Sequence, residues 1–314
     1  MDIYKLNYPS HVTTGKIEQY SLAIGFFDGL HKGHQAVIQQ AIDKAKELNI
    51  RSAVMTFNPH PSHILGGGKN KIGYITAFEE KIRLLEGMGV DTLFVVNFDK
   101  PLAGLSPEQF VDIFIKELGV RHVIAGFDYT FGSRSAGTME KMAELSEGIY
   151  DTTVVGKVTD TDDKISSTRI RKLLSVGNVE GASSLLGRNF RTIGVVVDGE
   201  KKGRQLGFPT ANVLPPEGSI LPANGVYAVR FLVEGKSYEG VCNVGVKPTF
   251  NNPDIRQAIV EVHVLNFNGD LYGKEVAVEW IKHIRDEQKF ESLDALIVQI
   301  AKDKDTAIEI LTVR

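Results

Sequence analysis

The sequence predicts an α/β half followed by a β half: a Rossmann-like, parallel, doubly wound sheet, then an antiparallel β-barrel with a terminal helix. Three observations carry this. Apolar strand-like runs alternate with amphipathic helical runs as far as Leu186, the pattern of parallel crossovers. From Phe190 onward short β-rich runs at 192–197, 226–233, 238–244, 259–265 and 276–284 are separated by Gly, Pro and Asn. From Leu293 the residues Leu296, Ile297, Ile300, Ile308 and Leu311 fall on one side of a last helix. The pattern changes at Gly187, so the domains expected are 1–186 and 187–314.

The chain of 314 residues is 42% hydrophobic and 24% charged, with net charge −3, which is the composition of a soluble globular protein. That charge argues against a nucleic acid or an anionic membrane as partner. A single cysteine, Cys242, excludes an internal disulfide and a cysteine-rich metal site. No apolar run reaches the ~20 residues that span a bilayer, and the first residues lack the apolar core of a signal peptide. A cytoplasmic protein, monomeric or weakly self-associating, is expected.

The stretch 21–34, SLAIGFFDGLHKGH, reads as a strand, a glycine-bearing turn and a helix start. Helix N-termini carry unpaired N–H groups and favour anions. Gly25 and Gly33 allow close approach, and His31 and His34, three apart, share one side of the first turn. Two imidazoles at a helix N-terminus suit the charge that develops when an α-phosphate is attacked. The helix that follows places Val37, Ile38, Ala41, Ile42, Ala45 and Leu48 on a buried stripe.

The strand 52–57 ends in Asn58-Pro59-His60-Pro61, which puts Asn58 and His60 at the carboxyl edge of the sheet, where such folds bind ligands. The glycines 66–68 with Lys69 read as a surface loop. A helix over 77–88 and a strand at 92–96 follow. Ser106-Pro107-Glu108-Gln109 predicts a capping box, opening a helix that buries Phe110, Ile113, Phe114 and Leu118. The strand 120–125 leads into Gly126-Phe127-Asp128, with Phe127 and Phe131 read as core. A strand at 154–158 and a charged turn at 160–164 precede Ile165-Ser166-Ser167-Thr168-Arg169-Ile170-Arg171, a capped helix start. Its N–H groups and the Arg171 guanidinium suit phosphate.

In the β half, Gly203-Arg204-Gln205-Leu206-Gly207-Phe208-Pro209-Thr210-Ala211-Asn212 reads as a fixed loop on which Thr210 and Asn212 offer neutral oxygens, suited to Mg2+. Glu261 and His263 share a face of one strand. The residues alone reach a two-domain enzyme handling nucleotide phosphates.

G-F-F-D-G-L-H-K-G-H resembles the HxGH signature of nucleotidyltransferases, and more narrowly the bacterial bifunctional riboflavin kinase/FMN adenylyltransferases, the FAD synthetases. T-F-N-P-H-P, I-S-S-T-R-I-R, G-R-Q-L-G-F-P-T-A-N and F-N-G-D-L-Y-G resemble further segments of that family over nearly the whole chain. The resemblance implies ATP-dependent phosphorylation of riboflavin to FMN in the second domain, then adenylyl transfer from ATP to FMN in the first, giving FAD. It implies His31, His34 and Arg171 as catalytic groups of the transfer, with Gly25, Phe26, Asp28, Gly33, Ser167 and Thr168 binding ATP. Asn58, His60 and Asp128 would face FMN. For the kinase it implies Glu261 as general base and Thr210 and Asn212 as Mg2+ ligands. Gly203, Arg204, Gly207, Phe208, Pro209, Asn224, Gly225, Tyr227, Arg285 and Glu287 would bind nucleotide or flavin, with Phe290 helping to cover the flavin. Two alternatives stay open: another nucleotidyltransferase with a non-catalytic barrel, and a non-enzymatic flavin-binding regulator.

Overall fold

A computed structural model describes residues 1–9, 18–65, 72–161, 163–199, 203, 207–249 and 252–312. The loop glycines 66–68 with Lys69, residue Asp162 of the charged turn, and Arg204, Gln205 and Leu206 lie outside the described residues. The chain divides into two compact units, Met1–Gly73 with Phe78–Ser166, and Tyr74–Ala77 with Ser167–Arg314.

The first unit is built on six parallel strands: β1 (Asp2–Leu6), β2 (Tyr20–Ile24), β3 (Arg51–Asn58), β4 (Thr92–Asn97), β5 (Val120–Gly126) and β6 (Asp151–Val155). Their order is β1-β4-β3-β2-β5-β6. From β2 the chain steps outward to β3 and β4, then returns to lay β5 on the other flank of β2. The winding therefore reverses between β2 and β5, and a ligand crevice is expected at their carboxyl ends. Helix α1 (Lys32–Leu48) buries Val37, Ile38, Ala41, Ile42 and Ala45. It ends where Asn49 turns left-handed. Leu48, expected on the stripe, is 43% exposed because it lies in that last turn.

Four shorter helices follow: α2 (Pro61–Leu65), α3 (Phe78–Gly87), α4 (Lys100–Ala103) and α5 (Pro107–Val111). The capping box forms, Ser106 accepting from the Gln109 N–H and Gln109 from the Ser106 N–H. Helix α5 then widens into a π-turn at Asp112–Lys116. The extra residue per turn rotates the buried face: Phe114 and Ile115 are buried, whereas Ile113, expected inside, is only partly so. After α6 (Met139–Glu144) comes β6, three residues earlier than the expected strand at 154–158. Its pairing with β5, from His122↔Asp151 to Gly126↔Val155, sets that register. The charged turn is a small hairpin of β7 (Thr159–Asp160) and β8 (Asp163–Lys164). Phe131 is buried as expected, but Phe127 is 47% exposed. It stands in the loop beyond β5, where no core reaches it.

The second unit holds α7 (Ser167–Ser175) and α8 (Val179–Leu186), followed by β9 (Phe190–Val197), β10 (Ala211–Leu214), β11 (Gly225–Val233), β12 (Lys236–Thr249), β13 (Asn252–Val264) and β14 (Glu275–Arg285). The strands close a barrel in the order β10-β13-β12-β11-β14-β9, with every pairing antiparallel. Closure leaves no open edge. Trp280 fills the interior, its indole N–H donating to Thr192 Oγ1 at 2.9 Å. Helix α8 packs on β9 and β14, and the Ala223 N–H donates to the Leu174 carbonyl at 2.9 Å. Both helices thus belong to the barrel's compact unit, although they precede Gly187. The terminal helix α9 (Leu293–Thr312) lays Ala307 and Leu311 on Ala228.

Ile38 is wholly buried, whereas Leu48 is near the surface. Ile38→Ala is expected to cost about 2–5 kcal/mol and Leu48→Ala under about 0.5 kcal/mol, read by denaturant unfolding of the full chain. Equal costs would contradict the burial described.

Candidate active sites

Between β2 and α1 the backbone passes through left-handed conformations at Phe27 (φ 53°), Gly29 (φ 85°) and Leu30 (φ 44°). Two of these carry side chains, which costs conformational energy that the surroundings must supply. Phe27 and Leu30 are 3% and 1% exposed, so apolar burial helps hold the turn. The Thr56 hydroxyl donates to the Phe26 carbonyl at 2.8 Å, tying the turn to β3. A Cβ on Gly25 would stand 3.0 Å from the Phe27 ring.

His31 is the N-cap of α1: its Nδ1 accepts from the His34 N–H at 3.3 Å. A neutral His31 must therefore carry its proton on Nε2, which leaves an N–H donor on the other side of the ring. The two imidazoles stack, centroids 3.6 Å apart and planes 20° from parallel. The edge of Phe27 meets His34 at 5.3 Å. Burial, helped by the adjoining His31 imidazole and the ammonium groups of Lys81 and Lys164, holds the His34 pKa well below the ordinary imidazole value. Its Nδ1 is buried with no hydrogen-bond partner among the described residues. A Cβ on Gly33 would stand 3.2 Å from the His31 ring and 3.9 Å from the Ile165 carbonyl, so a glycine keeps that space clear.

The other residues predicted for this site are placed as follows. Asn58 closes β3 and is exposed. The His60 ring meets Phe26 edge-on at 4.1 Å, and its Nδ1 accepts from the Ser62 N–H at 3.0 Å. Asp28 is buried. Asp128 is exposed in the loop after β5, paired with Lys164, whose ammonium lies 4.6 Å from the Phe127 ring centroid. Ser167, Thr168 and Arg171 open α7 in the second compact unit. Sequence reasoning missed Lys81, which is 4% exposed and donates to the Phe26 carbonyl at 2.9 Å.

The barrel holds a cavity of about 400 Å3 whose walls include Phe208, Thr210, Asn212, Glu261, Arg285 and Glu287. Strand register centres it. Glu261 on β13 faces Asn212 across β10 and Asn243 across β12, so a half-buried carboxylate sits between two neutral amides. Asn212 lies on β10, not on the loop expected from sequence. The missed strand is short, and its motif reads as a turn. A Cβ at residue 199 would collide with the Asn212 amide, and one at Gly203, which also lines the cavity, with the Phe208 carbonyl. Arg285 is fixed by Asp303 of α9, its Nε and Nη2 meeting the carboxylate at 3.0 and 2.7 Å, while Gln299 donates to the same group. Burial, then the Glu261 charge, pushes the Cys242 thiol pKa well up.

The remaining predicted residues sit differently. Pro209 gives its carbonyl to His263 Nδ1 at 2.8 Å. Gly207 is left-handed at φ 82° and exposed. Asn224 is outside the cavity and donates to Glu287 at 3.2 Å. Gly225 has no room for a Cβ beside His283. Tyr227 is wholly buried against Trp280, its hydroxyl donating to the Ala223 carbonyl at 2.6 Å. That side chain serves the core and does not line the cavity. Asn243, in a segment quoted from sequence without a role, does line it. Among the described residues no group of three or more His, Cys, Asp or Glu could hold a metal ion, and no helix is long and apolar enough to cross a membrane.

Residues 14–169 match the FAD synthetase family and residues 186–311 the riboflavin kinase family. The chain is 44% identical over 308 residues to the bifunctional riboflavin kinase/FMN adenylyltransferase of Bacillus subtilis, covering 98% of each. The chain belongs to this family. The enzyme of the same description from Escherichia coli is 40% identical over 92% of this chain and 91% of its own. A crystal structure from Streptococcus pneumoniae, titled a macrolide-efflux protein, superposes with TM-score 0.87 at 33% identity, covering 98% of this chain and 99% of that one. As a family member the chain is a transferase with both activities.

His34 in this bifunctional enzyme is expected to stay neutral at pH 6, where an ordinary imidazole with pKa 6.5 is mostly charged. Because the unfolded chain binds that proton better, this group's contribution to stability is present above about pH 6.5 and is lost as the pH falls below it. Imidazole NMR titration checks this, and an ordinary midpoint for His34 would contradict it.

Proposed function

We propose that the two activities fall to the two sites described, the barrel cavity phosphorylating riboflavin and the strand–turn–helix joining FMN to AMP. In the first reaction the ribityl hydroxyl of riboflavin attacks the γ-phosphorus of ATP, and Glu261 takes the hydroxyl proton as ADP leaves. The place of Glu261, facing the cavity between Asn212 and Asn243, is the observation that supports this role. Thr210 and Asn212 suit Mg2+, a hard cation that takes few protein oxygens and the rest from phosphate and water. The space beside Asn212 that a Cβ at residue 199 would occupy fits that use. When bound, the ion supplies charge neutralisation on the phosphates.

In the second reaction a phosphate oxygen of FMN attacks the α-phosphorus of ATP and pyrophosphate leaves. FMN is already a nucleophile, so no protein base is needed. The N-terminus of α1 and the His31 and His34 imidazoles stabilise the charge on the transferring group. Gly25, Phe26, Asp28 and Gly33 shape the ATP side, and Asn58, His60 and Asp128 the flavin side. Ser167, Thr168 and Arg171 are assigned to ATP phosphates on the strength of the I-S-S-T-R-I-R motif. We keep the functional boundary at Leu186/Gly187, one residue into the riboflavin kinase match that begins at residue 186. We place the enzyme in the cytoplasm, where ATP is available, as a monomer or weak homo-oligomer with no nucleic-acid or membrane partner.

Two substitutions separate the sites. His31→Ala is expected to lower adenylyl transfer on the order of a hundredfold and to leave FMN formation intact. Glu261→Ala is expected to abolish FMN formation and spare the conversion of FMN to FAD. Chromatography of flavins after incubation with Mg-ATP reads both, and loss of both activities in either folded variant would overturn the two-site assignment.

A further inference from the structure

We propose that Lys81 is a positioning residue for adenylyl transfer, holding the Phe26 carbonyl so that the turn leading to His31 keeps its left-handed course. The inference rests on the reading of His31 and His34 as the adenylyl-transfer site.

Lys81 lies on α3, on the sequence Phe-Glu-Glu-Lys-Ile-Arg-Leu-Leu. Its ammonium donates to the Phe26 carbonyl at 2.9 Å and to Thr56 Oγ1 at 3.3 Å, and stands 4.6 Å from the centroid of the Phe26 ring. The wholly buried Thr56 hydroxyl donates to the same carbonyl at 2.8 Å. One carbonyl oxygen thus receives two donors, one charged, and its two lone pairs are both engaged. That oxygen belongs to the peptide joining Phe26 to Phe27, the first left-handed residue of the turn. Fixing the plane of that peptide fixes the direction in which the chain leaves β2, and hence where the His31 cap begins α1.

Burying an ammonium is costly. Burial pushes the Lys81 pKa down to about 8, opposed by the Asp28 carboxylate. A methionine would fill the same volume without that cost, so packing alone does not account for a lysine here. The contact to the Phe26 carbonyl does. The same charge helps keep His34 neutral, because like charges disfavour its protonation.

The test uses the full-length enzyme and three variants: Lys81→Met, Thr56→Val and His31→Ala. FAD formation from FMN and Mg-ATP is measured beside riboflavin phosphorylation on the same samples, together with imidazole NMR spectra. In Lys81→Met, kcat for FAD formation is expected to fall about tenfold or more, as for loss of a charged hydrogen bond. The KM for FMN should stay within about twofold, the split expected when ground-state binding is untouched. The His31 and His34 imidazole resonances should shift, and phosphorylation should be unchanged. Thr56→Val, which keeps shape and removes the second donor, should lower kcat about fivefold, the effect of a neutral hydrogen bond. If Lys81→Met does not fold, Thr56→Val decides. Wild-type kcat with unmoved imidazole resonances in the deciding variant overturns the inference. Wild-type FAD formation by folded His31→Ala overturns instead the reading of the site on which it rests.

Discussion

Between Ile24 and Lys32 the chain must leave a strand, turn, and start a helix whose N-terminal end favours an anion. It does so through left-handed backbone at Phe27, Gly29 and Leu30, only one of them a glycine. A turn of that kind is not stable by itself. It is held by the burial of Phe27 and Leu30 and by the donors of Thr56 and Lys81 on the Phe26 carbonyl. What the turn delivers is the His31 ring at the helix cap, stacked on His34. The sheet order puts this turn at the reversal between β2 and β5, where a doubly wound fold leaves a crevice. Local strain, sheet topology and chemistry therefore meet in a few residues.

The barrel solves a different problem, placing a carboxylate on the wall of a cavity. Register does this without a strained turn: antiparallel pairing sets Glu261 directly across from Asn212 and Asn243. Closure of the strands fixes all three on one wall of the cavity. Glycines at 199 and 203 leave space that side chains would fill. The Arg285–Asp303 pair ties the rim of the cavity to α9 through a planar, multiply bonded contact.

Much of this was legible in the residues because it is encoded locally. The α1 stripe, the Ser106 capping box, the alternation of strand and helix and the Gly/Pro-punctuated β half all follow from spacing and turn chemistry. Flavin as substrate followed from the resemblance of long motifs, and whole-length similarity to the family supports it. What was missed depends on tertiary neighbours. Lys81, flanked by Glu79, Glu80 and Arg83, reads as part of a charged helix face, and only the fold shows it buried against Phe26. Tyr227, matched to a binding segment, is core because β11 faces Trp280 there. The π-turn that brings Ile115 inside has no composition of its own. Helices α7 and α8 look like a continuation of the α/β pattern, yet they pack with the barrel.

In the proposed scheme two independent sites act in turn on one flavin, with FMN as the shared compound. Complementation tests it most directly: His31→Ala and Glu261→Ala enzymes are mixed with riboflavin and Mg-ATP, and flavins are followed over time. Neither variant alone is expected to carry riboflavin through to appreciable FAD, while the mixture is, after a lag in which FMN accumulates. A mixture that makes no FAD, although each variant retains its single step, would contradict it.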